Sequence, residues 1–289
     1  MVGAAAVVRP GNVLFAAVAV IVGAVVAVGP GVLLSFAPFF PALVLAPAVA
    51  ALFTAAGNVL NDYVDADTDR VNHPERPIPR GRMTREGALR LSGILFGLAV
   101  IASLGLNFEC VLIVLANLAV MVSYEVSFKA RGGSGNVLIA YLVGSLFLFA
   151  GAATWRNQND NMPTILDLTP LLRAAVLALL AFLATLGREI AKDIEDVAGD
   201  VDRRTLPMTL GTRRAGWVAS AAFGLAAGLS VLPYLLGILP LIYLLLVLAA
   251  DAVFIYCALF PTRTERQIGR VSKFGMAIAL VAFLAGALQ

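Results

Sequence analysis

Charged residues are scarce in this sequence: they make up 13% of its 289 residues, about half the share found in ordinary soluble domains. Hydrophobic residues supply 60% of the chain. So apolar a composition excludes a soluble globular domain and places the chain among integral membrane proteins. The few Lys and Arg are scattered between apolar segments without interleaved aromatic residues, so nothing in the sequence indicates a nucleic-acid partner.

Cysteine and histidine are also rare. The two cysteines, Cys110 and Cys257, lie in apolar runs and near opposite membrane faces. We therefore expect buried free thiols and no disulfide. The single histidine, His73, lies in a polar connector. We expect it to be an exposed loop residue rather than a catalytic base.

Long apolar runs recur along the whole chain. A helix needs about 20 apolar residues to cross the hydrocarbon core of a bilayer. By this criterion the sequence predicts nine membrane-spanning helices, and we expect an all-α membrane protein that folds as a single domain, residues 1–289. The expected spans are Val13–Gly29, Ala37–Leu60, Gly87–Leu106, Cys110–Phe128, Val137–Ala153, Leu171–Ile190, Ala215–Leu235, Ile238–Phe260 and Val271–Leu288.

The basic residues are distributed very unevenly between the two membrane faces. If the N-terminus is cytoplasmic, all of the 21 Lys and Arg except Arg156 and Arg173 fall on the cytoplasmic side. This asymmetry fits the positive-inside rule and an odd number of spans. The first residues also lack the basic region and cleavage site of a signal peptide, so we expect the chain to begin in the cytoplasm.

Two acidic stretches share one spacing, D-x-x-D-x-x-x-D. The carboxylates are Asp62, Asp65 and Asp69 in the first stretch and Asp193, Asp196 and Asp200 in the second. On a helix, positions i, i+3 and i+7 fall within about 60° of each other, so each stretch can present one acidic face. Two opposed acidic faces would repel unless cations lay between them, and all-oxygen ligands suit Mg²⁺, which usually also binds substrate phosphates. Asn61, one turn before Asp65, could add a neutral oxygen ligand.

The cost of burying charge in lipid limits where these carboxylates can lie in the membrane. In the bilayer core each would cost about 2.5–3.5 kcal/mol, so all six would cost on the order of 15–20 kcal/mol. We therefore expect them to face an aqueous cavity at the cytoplasmic end. An ordinary solvated charged loop is the alternative for either stretch alone, and the matched spacing of the two stretches argues against it.

Several basic residues are candidates for binding a diphosphate. Arg76 and Arg80 lie in a proline-stiffened connector, and one Arg side chain can bind two phosphate oxygens at once, in bidentate fashion. The alternative is that these arginines only set the membrane orientation. Lys129 follows Tyr124 at the end of the fourth span and could reach a phosphate. The alternative is that Tyr124 is an ordinary interfacial tyrosine and Lys129 a lysine that snorkels to the membrane surface. Lys192 directly precedes the second acidic stretch and extends its polar face into the sixth span.

Together these motifs resemble the UbiA superfamily of intramembrane prenyltransferases. The residues that carry the resemblance are Asn61-Asp62-x-x-Asp65-x-x-x-Asp69, Arg76-Pro77-Ile78-Pro79-x-Gly81, Tyr124 with Lys129, Gly135-Asn136 and Asp193-x-x-Asp196-x-x-x-Asp200. The resemblance implies nine helices around a central cavity, with Mg²⁺ at the cytoplasmic end bridging both motifs to a prenyl diphosphate. The second motif most resembles archaeal members that transfer a geranylgeranyl group from its diphosphate to geranylgeranylglyceryl phosphate. The polar segment Arg156–Asp167 is longer than we expect for the family.

The resemblance also implies roles for individual residues. The expected metal ligands are Asn61, Asp62, Asp65, Asp69, Asp193, Asp196 and Asp200. The expected catalytic residues are Asp65, Asp69, Asp196, Asp200, Lys129 and Tyr124. The expected diphosphate ligands are Arg9, Arg76, Arg80, Lys129 and Lys192.

Two other functions remain open at this point. A prenyltransferase of the same fold could use an aromatic acceptor, such as 4-hydroxybenzoate or a naphthoate, because only the acceptor pocket would differ. A transporter with inverted repeats could also place acidic groups in a membrane cavity. Transport is disfavoured because the acidic residues cluster at one face rather than near the midplane. The expected partners are therefore geranylgeranyl diphosphate, a lipid or aromatic acceptor and the lipid bilayer. We expect the protein to cross that bilayer several times.

Overall fold

The computed structural model describes residues 7–34, 40–129, 131–155, 167–197, 204–263 and 268–289. Within these ranges the only regular secondary structure is helical, apart from an isolated bridge between Arg131 and Arg204. Nine helices of the described chain are long and apolar enough to cross a membrane, as predicted. They are α1 (Pro10–Val28), α2 (Pro41–Val64), α3 (Arg85–Ser103), α4 (Phe108–Phe128), α5 (Ser134–Trp155), α6 (Thr169–Asp196), α7 (Thr212–Leu235), α8 (Leu241–Leu259) and α9 (Ile268–Ala287).

Two helices extend further toward the acidic stretches than their apolar residues indicated. Helix α2 was expected to end at Leu60 and continues to Val64, and α6 was expected to end at Ile190 and continues to Asp196. Hydrophobicity marks only the part of a helix that lies in the hydrocarbon, whereas the hydrogen-bonded backbone can continue into a polar cavity. As a result Asp62, Asp193 and Asp196 lie on regular helix.

Short helices and caps complete the connections. Three short helices lie between the spans: Gly31–Leu34, Ala66–Asn72 and Leu206–Leu210. Thr84 caps α3, because its Oγ1 accepts a hydrogen bond from the Gly87 N–H at 3.0 Å. Thr212 does not cap α7. It lies inside the helix, and Gly211 takes the cap position with φ of 82°, which glycine adopts without strain.

Two of the long helices contain π-helical turns. In α2 the turn covers Pro41–Leu45, and in α4 it covers Tyr124–Phe128. A π-turn inserts one extra residue into the helix and changes the direction of the side chains that follow it. The turn in α4 lies at the end of the helix, next to the first acidic stretch.

The nine helices form a closed ring in which each packs against the next in chain order and α9 packs against α1. Two apolar cores fill the ring, and α1 and α5 contribute to both of them. Helices α1 and α5 approach closely at Gly23, where an added Cβ would lie 2.8 Å from the Cβ of Ala150.

The structure confirms the expectations for both cysteines and for His73, and it also shows a contact made by Asp251. Cys110 and Cys257 are buried free thiols. Asp251, the one acidic residue of the eighth span, accepts a hydrogen bond from Ser230 Oγ at 2.8 Å and so joins α7 to α8. His73 is half-exposed and faces Glu75 at 3.2 Å.

Candidate active site

A cavity of about 320 Å³ opens between α1, α2, α4, α5, α6 and α9. One end is lined by charged side chains from α4, α6 and α9 and by Arg9, which precedes α1, and the other end by apolar side chains such as Val49, Val114 and Phe149. Along α2 the lining runs from Asn61 to Val49, which is about 18 Å of helix. The cavity is therefore a narrow apolar chamber with a charged mouth.

The carboxylates of the first acidic stretch lie beside this mouth, behind the lining residues Arg9, Asn61 and Glu125. Asp62 is on the last turn of α2, Asp65 lies between α2 and the next short helix, and Asp69 is on that helix. Their exposed fractions are only 3%, 7% and 3%. Burying carboxylates in this way requires compensating positive charge.

Arginine side chains supply part of that charge. Arg9 precedes α1 and forms an ion pair with Asp62 while donating to Asn61 Oδ1 at 3.1 Å. Arg76 from the proline-rich connector lies 2.6 Å from Asp69 Oδ2 and 3.6 Å from Asp62 Oδ1. Burial raises the pKa of the Asp69 carboxyl, the charge of Arg76 opposes that shift, and the neighbouring Asp65 and Asp62 add to it.

Lys129, which directly follows the π-turn of α4, supplies the remaining positive charge. Lys129 Nζ lies 2.8 Å from Asp65 Oδ2 and 2.7 Å from Glu125 Oε2. The other oxygen of Glu125 accepts from Asn61 Nδ2 at 3.0 Å. The π-turn ends with the Lys129 N–H bound to the Tyr124 carbonyl at 2.9 Å. This turn thus brings Glu125 and Lys129 together against the first acidic stretch.

The second acidic stretch joins the site through the segment that follows Lys129. Asn136, on the first turn of α5, donates to Asp193 Oδ2 at 2.9 Å. The N–H of Gly132 donates to the Arg204 carbonyl, which follows the second stretch. Asp196 is exposed at the end of α6, and Asp200 lies outside the described residues.

The other predicted site residues differ in whether they line the cavity. Tyr124 lines the cavity, and Lys129 Nζ lies 5.6 Å from the centroid of its ring. Lys192 also lines the mouth, 3.6 Å from Glu189 Oε2. Arg80 is exposed and is not part of the cavity lining, although it lies only four residues from Arg76.

Comparison with known proteins identifies the family of this chain. A sequence model of the UbiA prenyltransferase family matches residues 16–285 of the chain. The chain belongs to the UbiA prenyltransferase family. Among relatives, digeranylgeranylglyceryl phosphate synthase from Haloquadratum walsbyi is 38% identical over 286 residues, which cover 98% of this chain and 94% of that protein. This UbiA family member is therefore a prenyltransferase embedded in the membrane.

Solved structures show the same fold. One from a study of digeranylgeranylglyceryl phosphate synthase in membranes superposes with a TM-score of 0.77 at 30% identity, covering 99% of this chain and 98% of that one. A UbiA homolog from Archaeoglobus fulgidus bound to GPP and Mg²⁺ superposes with a TM-score of 0.67 at 15% identity, covering 99% of both chains. The arrangement of nine helices is thus the UbiA fold.

The donor atoms at the mouth fit a hard divalent cation. In the described ranges no three Asp, Glu, His or Cys side chains are grouped closely enough to hold a metal ion. Basic side chains instead lie against each carboxylate of the first stretch. The oxygens of Asn61, Asp62, Asp65 and Asp69 are nevertheless the hard donors that Mg²⁺ prefers. These carboxylates are buried and only partly neutralised. With Glu125 included, four carboxylates contact three described basic side chains, which are Arg9, Arg76 and Lys129. This imbalance leaves an excess of negative charge for a cation.

Several lining residues of this UbiA family member were not among the predicted site residues. Glu125, Arg188, Glu189 and Lys273 all line the mouth, and Asn58 lies one turn deeper on α2. A signal for part of this set was present, because Asn58 and Asn61 share one face with Asp62 and Asp65 in an otherwise apolar helix. Lys273 lies far along the chain, so no local pattern linked it to the acidic stretches.

Proposed function

We propose that this enzyme transfers the geranylgeranyl group of geranylgeranyl diphosphate to geranylgeranylglyceryl phosphate, a step of archaeal ether-lipid synthesis. The observation that carries the proposal is the network of buried acidic and basic side chains at the mouth of an apolar chamber. A diphosphate needs cations, and an isoprenoid tail needs an apolar channel. The similarity to digeranylgeranylglyceryl phosphate synthases over nearly the whole chain supports this choice of acceptor.

The carboxylates at the mouth are the proposed metal ligands. Mg²⁺ would neutralise the diphosphate and so help its carbon–oxygen bond to break. In this chain the residues that would hold it are Asn61, Asp62, Asp65, Asp69, Asp193, Asp196 and Asp200. The Archaeoglobus fulgidus homolog bound to GPP and Mg²⁺ supports the use of this ion.

The basic side chains at the mouth are the proposed diphosphate ligands. Arg9, Arg76 and Lys129 neutralise carboxylates in this structure. When a metal takes over that neutralisation, the same side chains can donate to the diphosphate oxygens and stabilise the charge that builds up on the leaving group. Lys192, which lines the mouth, is a further candidate, and so is Arg80, which would need to turn toward the cavity.

The chemistry then requires an apolar chamber. The bond between C1 of the geranylgeranyl group and the diphosphate oxygen breaks, and diphosphate leaves with the electron pair. The hydroxyl oxygen of the acceptor forms the new ether bond to C1, and its proton passes to the released diphosphate. Side chains such as Val49, Leu146 and Phe149 surround the tail and exclude the water that would otherwise capture the allylic cation. Tyr124, at the border of the chamber, is placed to orient the reacting groups.

The orientation in the membrane follows from the basic residues. We propose that the mouth opens toward the cytoplasm, because it lies at the end of the helices where nearly all Lys and Arg are found. Residues 1–289 then act as one domain, with both acidic stretches at the same membrane face.

A panel of acceptors tests the proposal. The purified protein is incubated with Mg²⁺, geranylgeranyl diphosphate and, separately, geranylgeranylglyceryl phosphate, 4-hydroxybenzoate or a dihydroxynaphthoate. We expect product only with geranylgeranylglyceryl phosphate. Product only with an aromatic acid would reject the proposed acceptor, and no product with any acceptor would reject prenyl transfer.

A further inference from the structure

A second cluster of charges lies on the wall of the cavity formed by α6 and α9. We call it the basic wall, and its members are Arg188 and Lys192 on α6 and Lys273 on α9. Among the described residues that line the cavity on these two helices, Glu189 is the only carboxylate. It forms an ion pair with Arg188 and lies 3.6 Å from Lys192. Two of the three basic side chains thus share one acidic partner, and Lys273 does not contact that partner.

Two members of the basic wall have hydrogen-bonding capacity that the described chain does not use fully. The Nε–H of Arg188 is buried and has no acceptor among the described residues. Lys273 Nζ donates to the neutral Asn12 Oδ1 at 3.0 Å. Buried donors without acceptors are costly, and a surplus of positive charge in a membrane cavity favours an anionic ligand.

The basic wall and the first acidic stretch have opposite charge balances. Among the described residues, four carboxylates contact three basic side chains around the acidic stretch, whereas the basic wall has three basic side chains and the single lining carboxylate of Glu189. The acidic side suits a phosphate group that arrives with a metal ion. The basic wall suits a phosphate that is bound directly, without a metal, because Arg and Lys donate to phosphate oxygens.

We propose that Arg188 and Lys273 bind the phosphate of the acceptor, and that this contact makes the enzyme select a phosphate-bearing lipid. The inference rests on the proposed function and specifies how its acceptor is recognised. Arg188 provides a planar guanidinium on α6, and Lys273 provides an ammonium from α9 across the same wall. Lys192, which is held near Glu189 and the second acidic stretch, remains a ligand of the diphosphate.

Steady-state kinetics of Arg188→Gln and Lys273→Gln test this assignment. Both variants keep a polar side chain, and Lys273→Gln leaves no charged partner unpaired. The acceptors are geranylgeranylglyceryl phosphate and its unphosphorylated counterpart, geranylgeranylglycerol, with geranylgeranyl diphosphate as donor. We expect the KM for the phosphorylated acceptor to rise about tenfold or more in each variant. We expect the KM for the donor, and any turnover of geranylgeranylglycerol, to stay as in the wild type.

A matched control and a conservative variant sharpen the test. Arg270→Gln removes a charge from α9 at an exposed position outside the cavity lining, and we expect wild-type kinetics. Arg188→Lys should recover part of the lost acceptor affinity. A raised KM for the donor, an equal loss with both acceptors or unchanged kinetics would each overturn the assignment. Failure of the wild type to use geranylgeranylglyceryl phosphate would instead reject the proposed function itself.

Discussion

Lys129 Nζ lies 2.8 Å from Asp65 Oδ2, and this ion pair ties the end of α4 to the first acidic stretch. Seven residues later, Asn136 donates to Asp193 in the second stretch at 2.9 Å. The connection from α4 to α5 therefore contacts both acidic stretches. It is the element through which the two halves of the proposed site are held relative to each other.

Replacing Lys129 by Met should destabilise the protein strongly. Its ammonium is the shared partner of Asp65 and Glu125, which are 7% and 5% exposed. Removing one partner of a buried ion pair costs about 3–5 kcal/mol, because a charge is left uncompensated. Unfolding in detergent measures this loss, and Arg90→Met, which removes an exposed ion pair of α3, should change stability by less than about 1 kcal/mol.

A second substitution identifies the origin of that loss. Adding Glu125→Gln to Lys129→Met removes one of the two buried charges, so the double variant should be more stable than Lys129→Met alone. If the two substitutions destabilised the protein additively, Lys129 and Glu125 would not be coupled as the structure shows.

Gly135→Ala should disturb the π-turn of α4. An added Cβ would lie 3.1 Å from the Phe128 carbonyl oxygen, 3.3 Å from the Tyr124 ring and 3.5 Å from Lys129 Cα. Overpacking of this kind costs about 1–3 kcal/mol, and here it also displaces Lys129 from Asp65. We expect a lower kcat together with lower thermal stability. Gly97→Ala on α3, where nothing lies within 4 Å of an added Cβ, is the control and should keep full activity. Equal behaviour of the two variants would show that the π-turn tolerates a shift.

Ala50→Phe should shorten the prenyl group that the enzyme accepts. Ala50 lines the deep end of the cavity, about three turns of α2 from the charged mouth. A phenyl ring there takes space from the distal part of a long tail and leaves the mouth unchanged. We expect kcat/KM for geranylgeranyl diphosphate to fall about tenfold or more relative to that for geranyl diphosphate. Leu112→Phe, at an exposed position of α4, should leave the ratio unchanged. A constant ratio in Ala50→Phe would mean that the tail does not occupy this chamber.

Part of this structure could be predicted from the sequence because the bilayer sets it. The thickness of the hydrocarbon requires about 20 apolar residues per span, so the number of helices follows from the apolar runs. The repeated acidic spacing likewise indicated Asp62, Asp65 and Asp69 as a group, and the structure buries all three beside the cavity mouth.

The details of the charge network could not be predicted, for physical reasons that differ from residue to residue. Arg76 and Arg80 lie in the same irregular connector, and no period tells which one turns inward to Asp69. Glu125 reaches Lys129 and Asn61 through a π-turn, which has no clear sequence signature. Lys273 enters the mouth only because α9 packs against α1, a tertiary contact between opposite ends of the chain.

The Mg²⁺ dependence of prenyl transfer in Asp65→Asn and Asp67→Asn tests the central claim most directly. The two residues belong to the same acidic stretch, but Asp65 is buried at the cavity mouth, whereas the Asp67 side chain is 66% exposed and pairs with Arg70 and Arg85. Rates with geranylgeranyl diphosphate and geranylgeranylglyceryl phosphate are measured over a range of Mg²⁺ concentrations. We expect a loss of about a hundredfold or more in Asp65→Asn and near wild-type rates in Asp67→Asn. Wild-type rates and Mg²⁺ dependence in Asp65→Asn would contradict the central claim.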